Sequence, residues 1–179
     1  MRRILTPLNK EIIGKLKAGE EVLLTGTIYT ARDQAHKRLV KEISKRKNLI
    51  KNQIIYYCGP TNTPRGKVIG SAGPTTSSRM DEFTPKLLSV GLIAMIGKGN
   101  RSKEVRQVIK KHKAIYFLAP AGCGALLSKK IKAQKLIAYK DLGPEAIYEL
   151  KVKDFPLIVG IDSKGRSIDD ISYGARRAT

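Results

Sequence analysis

The chain has 179 residues, of which 35 are Lys or Arg and 15 are Asp or Glu, giving a net charge of +20 at pH 7. Its composition, 41% hydrophobic with 16 glycines, fits one globular domain and argues against wholesale disorder. No apolar run approaches the roughly 20 residues that a membrane span needs, and the first residues turn polar too early for a secretory signal. Two cysteines argue against a disulfide scaffold or a self-contained zinc finger. We therefore expect a soluble cytoplasmic domain without a membrane partner.

The charge first suggests a phosphate-rich partner, because neutralising phosphates drives non-specific nucleic-acid binding. The basic residues are, however, spread along the chain, and no stripe or tail collects them. The Phe and Tyr residues fall in apolar runs such as IIYY (54–57), which are typical of core strands rather than base-stacking surfaces. A thermophile-like surface, an acidic partner subunit or a dianionic substrate would also favour such a charge. We expect no specific nucleic-acid partner, and a basic nucleic-acid-binding module is the remoter alternative.

Apolar periodicity, β-branched runs and turn residues predict helices and strands in the following order. Asn9 is the expected N-cap of the first helix. The predicted helices are residues 9–17, 33–47, 79–90, 102–111 and 125–130. The predicted strands are residues 22–29, 54–58, 67–71, 92–96, 114–118, 135–139, 146–152 and 156–161. The β-α-β-α-β run through residues 92–139 predicts a single α/β domain, 1–171, with a mostly parallel central sheet and flanking helices. Residues 172–179 are expected to form a flexible tail.

Polar, glycine-bearing segments follow several predicted strands. The carboxyl ends of strands in an α/β sheet are where ligands gather, and the helix starts there favour anions. The glycine-bearing segments are GPTTSSR (73–79), GKGNRS (97–102) and PAGCG (120–124). A fourth segment, TARDQAHKR (30–38), again places an arginine where a predicted strand leads into a helix. Together they predict a cationic site with room for two carboxylates, built from Arg32, Thr75, Arg79 and Lys98.

Each of these residue types also has a simpler structural interpretation. Thr75 or Thr76 alone is most often a helix N-cap, and Asp33 can do no more than stabilise a helix start. His36 beside two basic residues is more typical of a surface or capping position than of a catalytic base. Cys123, flanked by small residues, is more typical of a small core residue than of a nucleophile. The GKGN segment lacks the spacing of a P-loop. The residues alone therefore predict an anion site without an electrophile or an obvious strong base.

Four segments in order carry a resemblance to a known family: residues 30–38, 73–81, 98–102 and 141–147. They closely resemble the beta subunit of iron–sulfur (class I) fumarate hydratases, and the beta subunit of L-tartrate dehydratases is a near relative. The likeness runs from about residue 2 to residue 162. It implies a swivelling β/β/α domain, so that residues 1–171 would form a fumarase beta-type catalytic domain. The segment PAGC (120–123) looks closer to the tartrate enzymes.

The resemblance also implies a division of labour between two subunits. An alpha subunit would hold a [4Fe–4S] cluster through three cysteines, and the two cysteines here cannot supply three thiolates, so we expect no metal site in this chain. By motif, Arg32, Thr75, Arg79 and Lys98 would bind the dicarboxylate, with Thr75, Lys98 and Arg79 also catalytic. Thr75 would act with an Asp of the partner in proton transfer at C3. The expected reaction is the hydration of fumarate to (S)-malate by a heterotetramer of two alpha and two beta subunits. L-tartrate and mesaconate are the alternative substrates.

Overall fold

The computed structural model describes residues 1–171, so the tail predicted at 172–179 lies outside the described residues. The strands are β1 (Arg2–Leu5), β2 (Glu21–Thr30), β3 (Ile54–Tyr56), β4 (Ala94–Gly97), β5 (Ile115–Leu118), β6 (Ile131–Ala138) and β7 (Ile147–Ile161). The helices are α1 (Lys10–Gly14), α2 (Asp33–Lys41), α3 (Ile43–Ile50), α4 (Thr84–Ser89), α5 (Lys103–His112) and α6 (Gly124–Lys130). Segments of 3₁₀ helix lie at Ser77–Met80 and Lys140–Glu145. Within residues 1–171, no helix has both the length and the apolar character needed to cross a membrane.

Side-chain caps explain where two of the helices begin. The Asn9 side chain accepts a hydrogen bond from the Ile12 amide at 2.8 Å, which confirms the predicted N-cap of α1. The Ser102 hydroxyl accepts one from the Val105 amide at 3.2 Å and starts α5 directly after the GKGN segment. Helix α5 ends at His112, and the next residue, Lys113, has a φ of 53°, the left-handed conformation typical of a helix stop.

The strands form one sheet in the order β1-β2-β3-β4-β5-β7-β6. Strands β1 to β5 are parallel, each to the next in this order, which confirms the predicted α/β class with a mostly parallel sheet. Strand β7 runs antiparallel to β5, β6 and β2. Because β7 pairs with both β2 and β5, the strands β2, β3, β4, β5 and β7 close into a ring of hydrogen-bonded neighbours. The carboxyl ends of β2, β3 and β4 therefore lie side by side at one edge.

Successive side chains of the central strands point to opposite faces of the sheet and pack into two separate cores. In β3, Ile54 and Tyr56 pack into the core enclosed by the strands, whereas Ile55 packs into a second core under the helices. Strand β5 repeats this pattern, since Phe117 faces the first core and Tyr116 the second. Helices α2, α4 and α5 supply Leu39 and other apolar side chains to the second core. The short central strands are therefore buried on both faces, with the first core on one face and the helices on the other.

The strand predicted at 67–71 is wrong. Instead of joining the sheet, this segment folds back on the loop that precedes it. The Thr61 amide donates to the Ser71 carbonyl at 3.0 Å, and the Ser71 amide donates to the Thr61 hydroxyl at 2.8 Å. Gly70 permits this approach, because a Cβ there would lie 2.2 Å from the Thr61 carbonyl oxygen. The β-branched pair Val68 and Ile69 thus belongs to a loop in which Ile69 is buried and Val68 is exposed.

Three predicted helices differ in extent from the structure. The helix predicted at 9–17 is the shorter α1 (Lys10–Gly14). The helix predicted at 33–47 divides into α2 and α3 at Glu42, whose carboxylate is held by the Tyr139 hydroxyl and Arg46, each at 3.2 Å. The helix predicted at 79–90 begins only at Thr84, with Pro85 in its first turn. Proline favours that position because it has no amide hydrogen to leave unpaired.

The last third of the sheet also differs from the prediction. The two strands predicted at 146–152 and 156–161 are one strand, β7, which bends at Asp154 with a φ of 49°. The predicted run of parallel strands ends at β5, because β6 follows α6 without a loop and pairs antiparallel with β7. Strand β7 takes the place beside β5 that a parallel β6 would need.

Candidate active site

The predicted site segments meet at the carboxyl edge of the parallel strands. Arg32 follows β2, and Lys98 follows β4. Thr75 lies just past β3, because its amide donates to the Tyr57 carbonyl at 2.7 Å. The segment 73–80 then runs beside Lys98, with a β-bridge from Thr76 to Lys98 and the Ser77 amide donating to the Lys98 carbonyl at 3.0 Å. The predicted convergence is present for Arg32 and Lys98, which follow β2 and β4. Segment 73–80 does not follow a strand, since the strand predicted at 67–71 is absent, and it reaches the edge through its hydrogen bonds to Tyr57 and Lys98.

Asp33 lies between the two arginines of the predicted site. One of its oxygens accepts a hydrogen bond from Arg79 Nε at 2.9 Å, and the other lies 3.7 Å from Arg32 Nε. Arg32 Nη2 also lies 3.6 Å from a Glu145 carboxylate oxygen. A single carboxylate thus brings Arg32 and Arg79 together. The Asp33 side chain does more than stabilise the start of α2.

Arg32 is held loosely by its ion-pair partners. Its Nε and the facing Asp33 oxygen are both buried, and neither has a hydrogen-bond partner within residues 1–171. Their separation of 3.7 Å is too long for a direct hydrogen bond. The Arg32 side chain packs over Gly59, where a Cβ would lie 2.9 Å from Arg32 Cδ. The guanidinium is therefore placed by packing and charge rather than by saturated hydrogen bonds.

Thr75 and Lys98 present polar groups that the described part of the chain does not use. Neither the Thr75 hydroxyl nor the Lys98 ammonium has a hydrogen bond or ion pair within residues 1–171, and both residues are half-buried. Thr76 precedes the 3₁₀ segment Ser77–Met80 without a side-chain cap, so the N-cap interpretation of either threonine is wrong. A hydroxyl and an ammonium at this edge are thus available to a ligand.

His36 is buried rather than exposed, which corrects the surface interpretation. Its Nδ1 donates to the Arg32 carbonyl at 2.8 Å, and its ring lies against Tyr57 and Phe83 with centroids 5.3 and 5.9 Å apart. Burial lowers the pKa of His36 from 6.5 to about 4, because the charged imidazolium would lose its water. His36 is a neutral packing residue behind Arg32.

Cys123 is partly exposed, so its assignment to the core is wrong. It precedes α6, where Gly124 packs directly on Gly73, and the Ala72 amide donates to the Gly124 carbonyl at 3.2 Å. The segment 120–124 therefore supports the chain just before Thr75. The other cysteine, Cys58, is buried, and burial raises the pKa of its thiol to about 12.

The segment 141–147 braces the helix that follows Arg32. Asp141 accepts from Arg38 Nη1 at 2.9 Å, and Glu145 accepts from the Gln34 amide at 3.0 Å. Through these contacts, segment 141–147 is held against segment 30–38, and both segments carry the resemblance described above. The first turn of α2 is fixed from two directions.

A buried polar network behind the site was missed at the sequence level. Arg101 Nε donates to Asp81 at 2.6 Å and Nη2 to the Thr84 hydroxyl at 2.6 Å. The Tyr116 hydroxyl bonds both the Ser77 hydroxyl and the Gly99 carbonyl, each at 2.8 Å. The signal available was Arg101 itself, an arginine inside the GKGNRS segment whose burial only the tertiary structure reveals.

The donor set of this chain does not fit an iron–sulfur cluster. Within residues 1–171, no three His, Cys, Asp or Glu side chains are grouped so that they could hold a metal ion. The whole chain contains two cysteines, one fewer than the three thiolates implied by the resemblance, and Cys58 is buried away from solvent. These residues by themselves therefore do not supply the three thiolates that the resemblance implies.

Comparison with known proteins agrees with the resemblance seen in the sequence. The chain is 42% identical over 164 residues to the anaerobic class I fumarate hydratase of Escherichia coli, covering 87% of this chain and 30% of that protein. It is 37% identical over 169 residues to fumarate hydratase 2 of Leishmania major, again covering 30% of that protein. It therefore spans about a third of the length of these fumarate hydratases.

A third relative is close to this chain in length. It is a Methanocaldococcus jannaschii protein named provisionally as an L(+)-tartrate dehydratase subunit beta, 39% identical over 170 residues that cover 90% of this chain and 87% of that protein. Residues 3–170 match the family described as Fumarase C-terminus. The chain therefore belongs to the Fumarase C-terminus family.

Proposed function

We propose that this chain is the beta subunit of a hydro-lyase that reversibly hydrates fumarate to (S)-malate. It would supply the half of the active site that binds the dicarboxylate. The observation that carries the proposal is that Arg32, Arg79, Lys98 and Thr75 lie at one edge of the sheet. The Thr75 hydroxyl has no hydrogen-bond partner within residues 1–171. The cations suit a substrate with two carboxylates. Membership of the family and the names of the relatives support the reaction class.

The side chains would act mainly through charge. Arg32, Arg79 and Lys98 would bind the two carboxylates and stabilise the aci-carboxylate that forms when the C3 proton of malate leaves. Thr75 would hold or pass that proton together with an Asp of the partner subunit, because a threonine hydroxyl is a weak base without an activating neighbour. In the hydration direction, the same groups would deliver the proton to C3.

The proposed enzyme requires a second subunit. An alpha partner would hold the [4Fe–4S] cluster, which when bound supplies a Lewis acid at the C2 hydroxyl. The cysteine count of this chain supports that division, and so does the exposure of Arg79, whose side chain is 51% exposed in this chain alone. We propose a heterotetramer of two alpha and two beta subunits.

A second substrate has a specific observation in its favour. The relative from Methanocaldococcus jannaschii, which this chain covers over 87% of its length, carries the name of a tartrate dehydratase subunit. L-tartrate is also a dicarboxylate that loses water, so the same cations would bind it. Mesaconate differs from fumarate by one methyl group, which changes binding by only about 1–3 kcal/mol.

The decisive experiment is an anaerobic assay of this chain, its cluster-bearing partner, and both together. Fumarate, L-tartrate and mesaconate would be compared at equal concentration. We expect fumarate hydration only in the mixture. Activity on L-tartrate alone would mean that the substrate is L-tartrate instead of fumarate, and the proposed binding site would stand. A stable complex with an intact cluster but no activity on any of the three would contradict the proposed hydro-lyase.

A further inference from the structure

One buried arginine connects the two segments that carry the proposed substrate-binding residues. The Arg101 side chain is 0% exposed, and it donates to Asp81 and Thr84, each at 2.6 Å. Asp81 and Thr84 follow Arg79 in the chain, and Arg101 follows Lys98. A single guanidinium therefore joins the Arg79 segment (residues 73–84) to the Lys98 segment (residues 97–102).

Aromatic rings enclose this guanidinium and add a second link. Its central carbon lies 5.4 Å from the Tyr57 ring centroid and 5.1 Å from that of Tyr116, within cation–π range. The Tyr116 hydroxyl then bonds Ser77 on one segment and Gly99 on the other. The link through Tyr116 thus joins the same two segments as Arg101.

Asp81 extends the connection to the start of α5. Its second oxygen accepts from the Ser102 amide at 2.8 Å, next to Arg101 itself. Both carboxylate oxygens therefore bond the Lys98 side of the site. Burying a charged pair costs desolvation free energy, which is recovered only when geometry is good and the remaining donors and acceptors are satisfied.

We propose that Arg101 is a positioning residue of the proposed hydration site, and that its guanidinium sets Lys98 relative to Thr75 and Arg79. The inference rests on the proposed function. Arg101 does not itself contact substrate, because it is enclosed by Tyr57 and Tyr116. Its planar fork reaches Asp81 and Thr84 with different nitrogens, a geometry that the single ammonium of lysine does not reproduce.

The test uses Arg101→Lys in the alpha–beta holoenzyme, with Arg106→Lys as the matched control. Arg106 is also an arginine near the start of α5, and it bonds Gly165 and Asp170, away from both segments. We expect Arg101→Lys to lower kcat/KM by about 10²-fold with a raised KM, because small misplacements of binding groups are costly. Arg106→Lys should stay within about twofold, because the Arg106–Asp170 ion pair is partly exposed to solvent and contributes little.

A merely structural role predicts a different result. Loss of folded protein lowers the apparent kcat but leaves the KM of the surviving enzyme unchanged. Folding would therefore be checked by thermal unfolding before kinetics. A folded Arg101→Lys holoenzyme with the wild-type KM and kcat would overturn the inference.

Hydrogen exchange of the full chain gives a readout that needs no substrate. The Ser77 amide bonds Lys98 and the Ser102 amide bonds Asp81, so both report the link between the segments. We expect both amides to exchange faster in Arg101→Lys than in Arg106→Lys. Unchanged exchange would overturn the inference, whereas an inactive wild-type holoenzyme would overturn the proposed function instead.

Tyr116→Phe is the milder variant should Arg101→Lys not fold. It keeps the buried ring and removes only the hydroxyl that bonds Ser77 and Gly99. We expect a raised KM and faster exchange at Ser77. Wild-type values for both in folded Tyr116→Phe would count against a positioning role for this network.

Discussion

At the residue scale, Asp33 orients Arg79 without occupying its binding surface. Asp33 accepts from Arg79 Nε at 2.9 Å, and within residues 1–171 the two terminal nitrogens of Arg79 have no hydrogen-bond partner. Those nitrogens are the pair that grips a carboxylate in a bidentate contact. An exposed ion pair of this kind contributes little stability, so its value lies in orientation.

Replacing Arg79 should therefore damage activity more than stability. We expect Arg79→Ala to lower kcat/KM by at least about 10²-fold, because a preorganised charge contact is lost. The matched control is Arg65→Ala, since Arg65 is exposed and has no ion pair within the described residues. Steady-state kinetics of the holoenzyme would measure both variants. Retained activity in Arg79→Ala would mean that the site is elsewhere.

His36 predicts a pH dependence of stability. Burial lowers the pKa of His36 from 6.5 to about 4, so between these values the unfolded chain binds a proton that the folded chain does not. Stability should therefore fall as the pH falls from about 6.5 to about 4, by up to about 3 kcal/mol from this residue. Urea unfolding of the wild type and His36→Asn at pH 7 and 4.5 would isolate the effect. Equal losses in both proteins would contradict it.

At the element scale, the end of β4 is shaped to receive the segment that carries Thr75. Gly97 is the last residue of β4, and a Cβ there would lie 1.9 Å from the Ser77 hydroxyl and 2.9 Å from the Tyr57 ring. Only a residue without a side chain lets segment 73–80 lie against the strand end. The position of Thr75 and Lys98 relative to each other depends on this approach.

A methyl group at Gly97 should separate the two segments. We expect Gly97→Ala to lower the free energy of unfolding by about 1–3 kcal/mol, as overpacking does, and Ser77→Gly in the same chain to restore part of it. Gly14→Ala is the control, because no atom lies within 4 Å of its would-be Cβ in α1. That change should be neutral or stabilise by up to about 1 kcal/mol. Denaturant unfolding would decide, and equal effects at both glycines would refute the packing argument.

At the scale of the whole molecule, the excess of 20 positive charges predicts how the chain would meet the proposed alpha subunit. We expect an alpha subunit of more acidic character, with an association rate that falls as salt is added, because exposed charges steer the encounter. A native gel at micromolar concentration should show the complex. Its absence would remove this explanation of the charge. Salt-sensitive DNA or RNA binding that does not depend on Arg79 would favour the nucleic-acid alternative instead.

Much of the architecture was predictable because local signals agree with the final fold. The parallel strands β2 to β5 appear as β-branched or apolar runs, and Asn9 and Ser102 mark helix starts. The errors lie where hydrogen-bond partners that local residue types do not reveal decide the structure. Segment 67–71 has strand-like residues, but its hydrogen bonds go to Thr61. A strand forms only beside another strand with which it can pair, and residue types alone do not show whether such a neighbour is present.

The sequence by itself determined the class of fold, the strand ends and the charged residues that follow them. Parallel strands end at one edge, so Arg32 and Lys98 had to converge there. Thr75 joins them through the hydrogen bond from its amide to the Tyr57 carbonyl, which the sequence did not reveal. Only the tertiary structure decided that Asp33 joins two arginines and that β7 closes the sheet on β2. It also decided that Arg101 is enclosed behind the site. The physical reason is that periodicity reports which face of an element is buried, whereas the partner of a buried charge depends on packing between segments far apart in the chain.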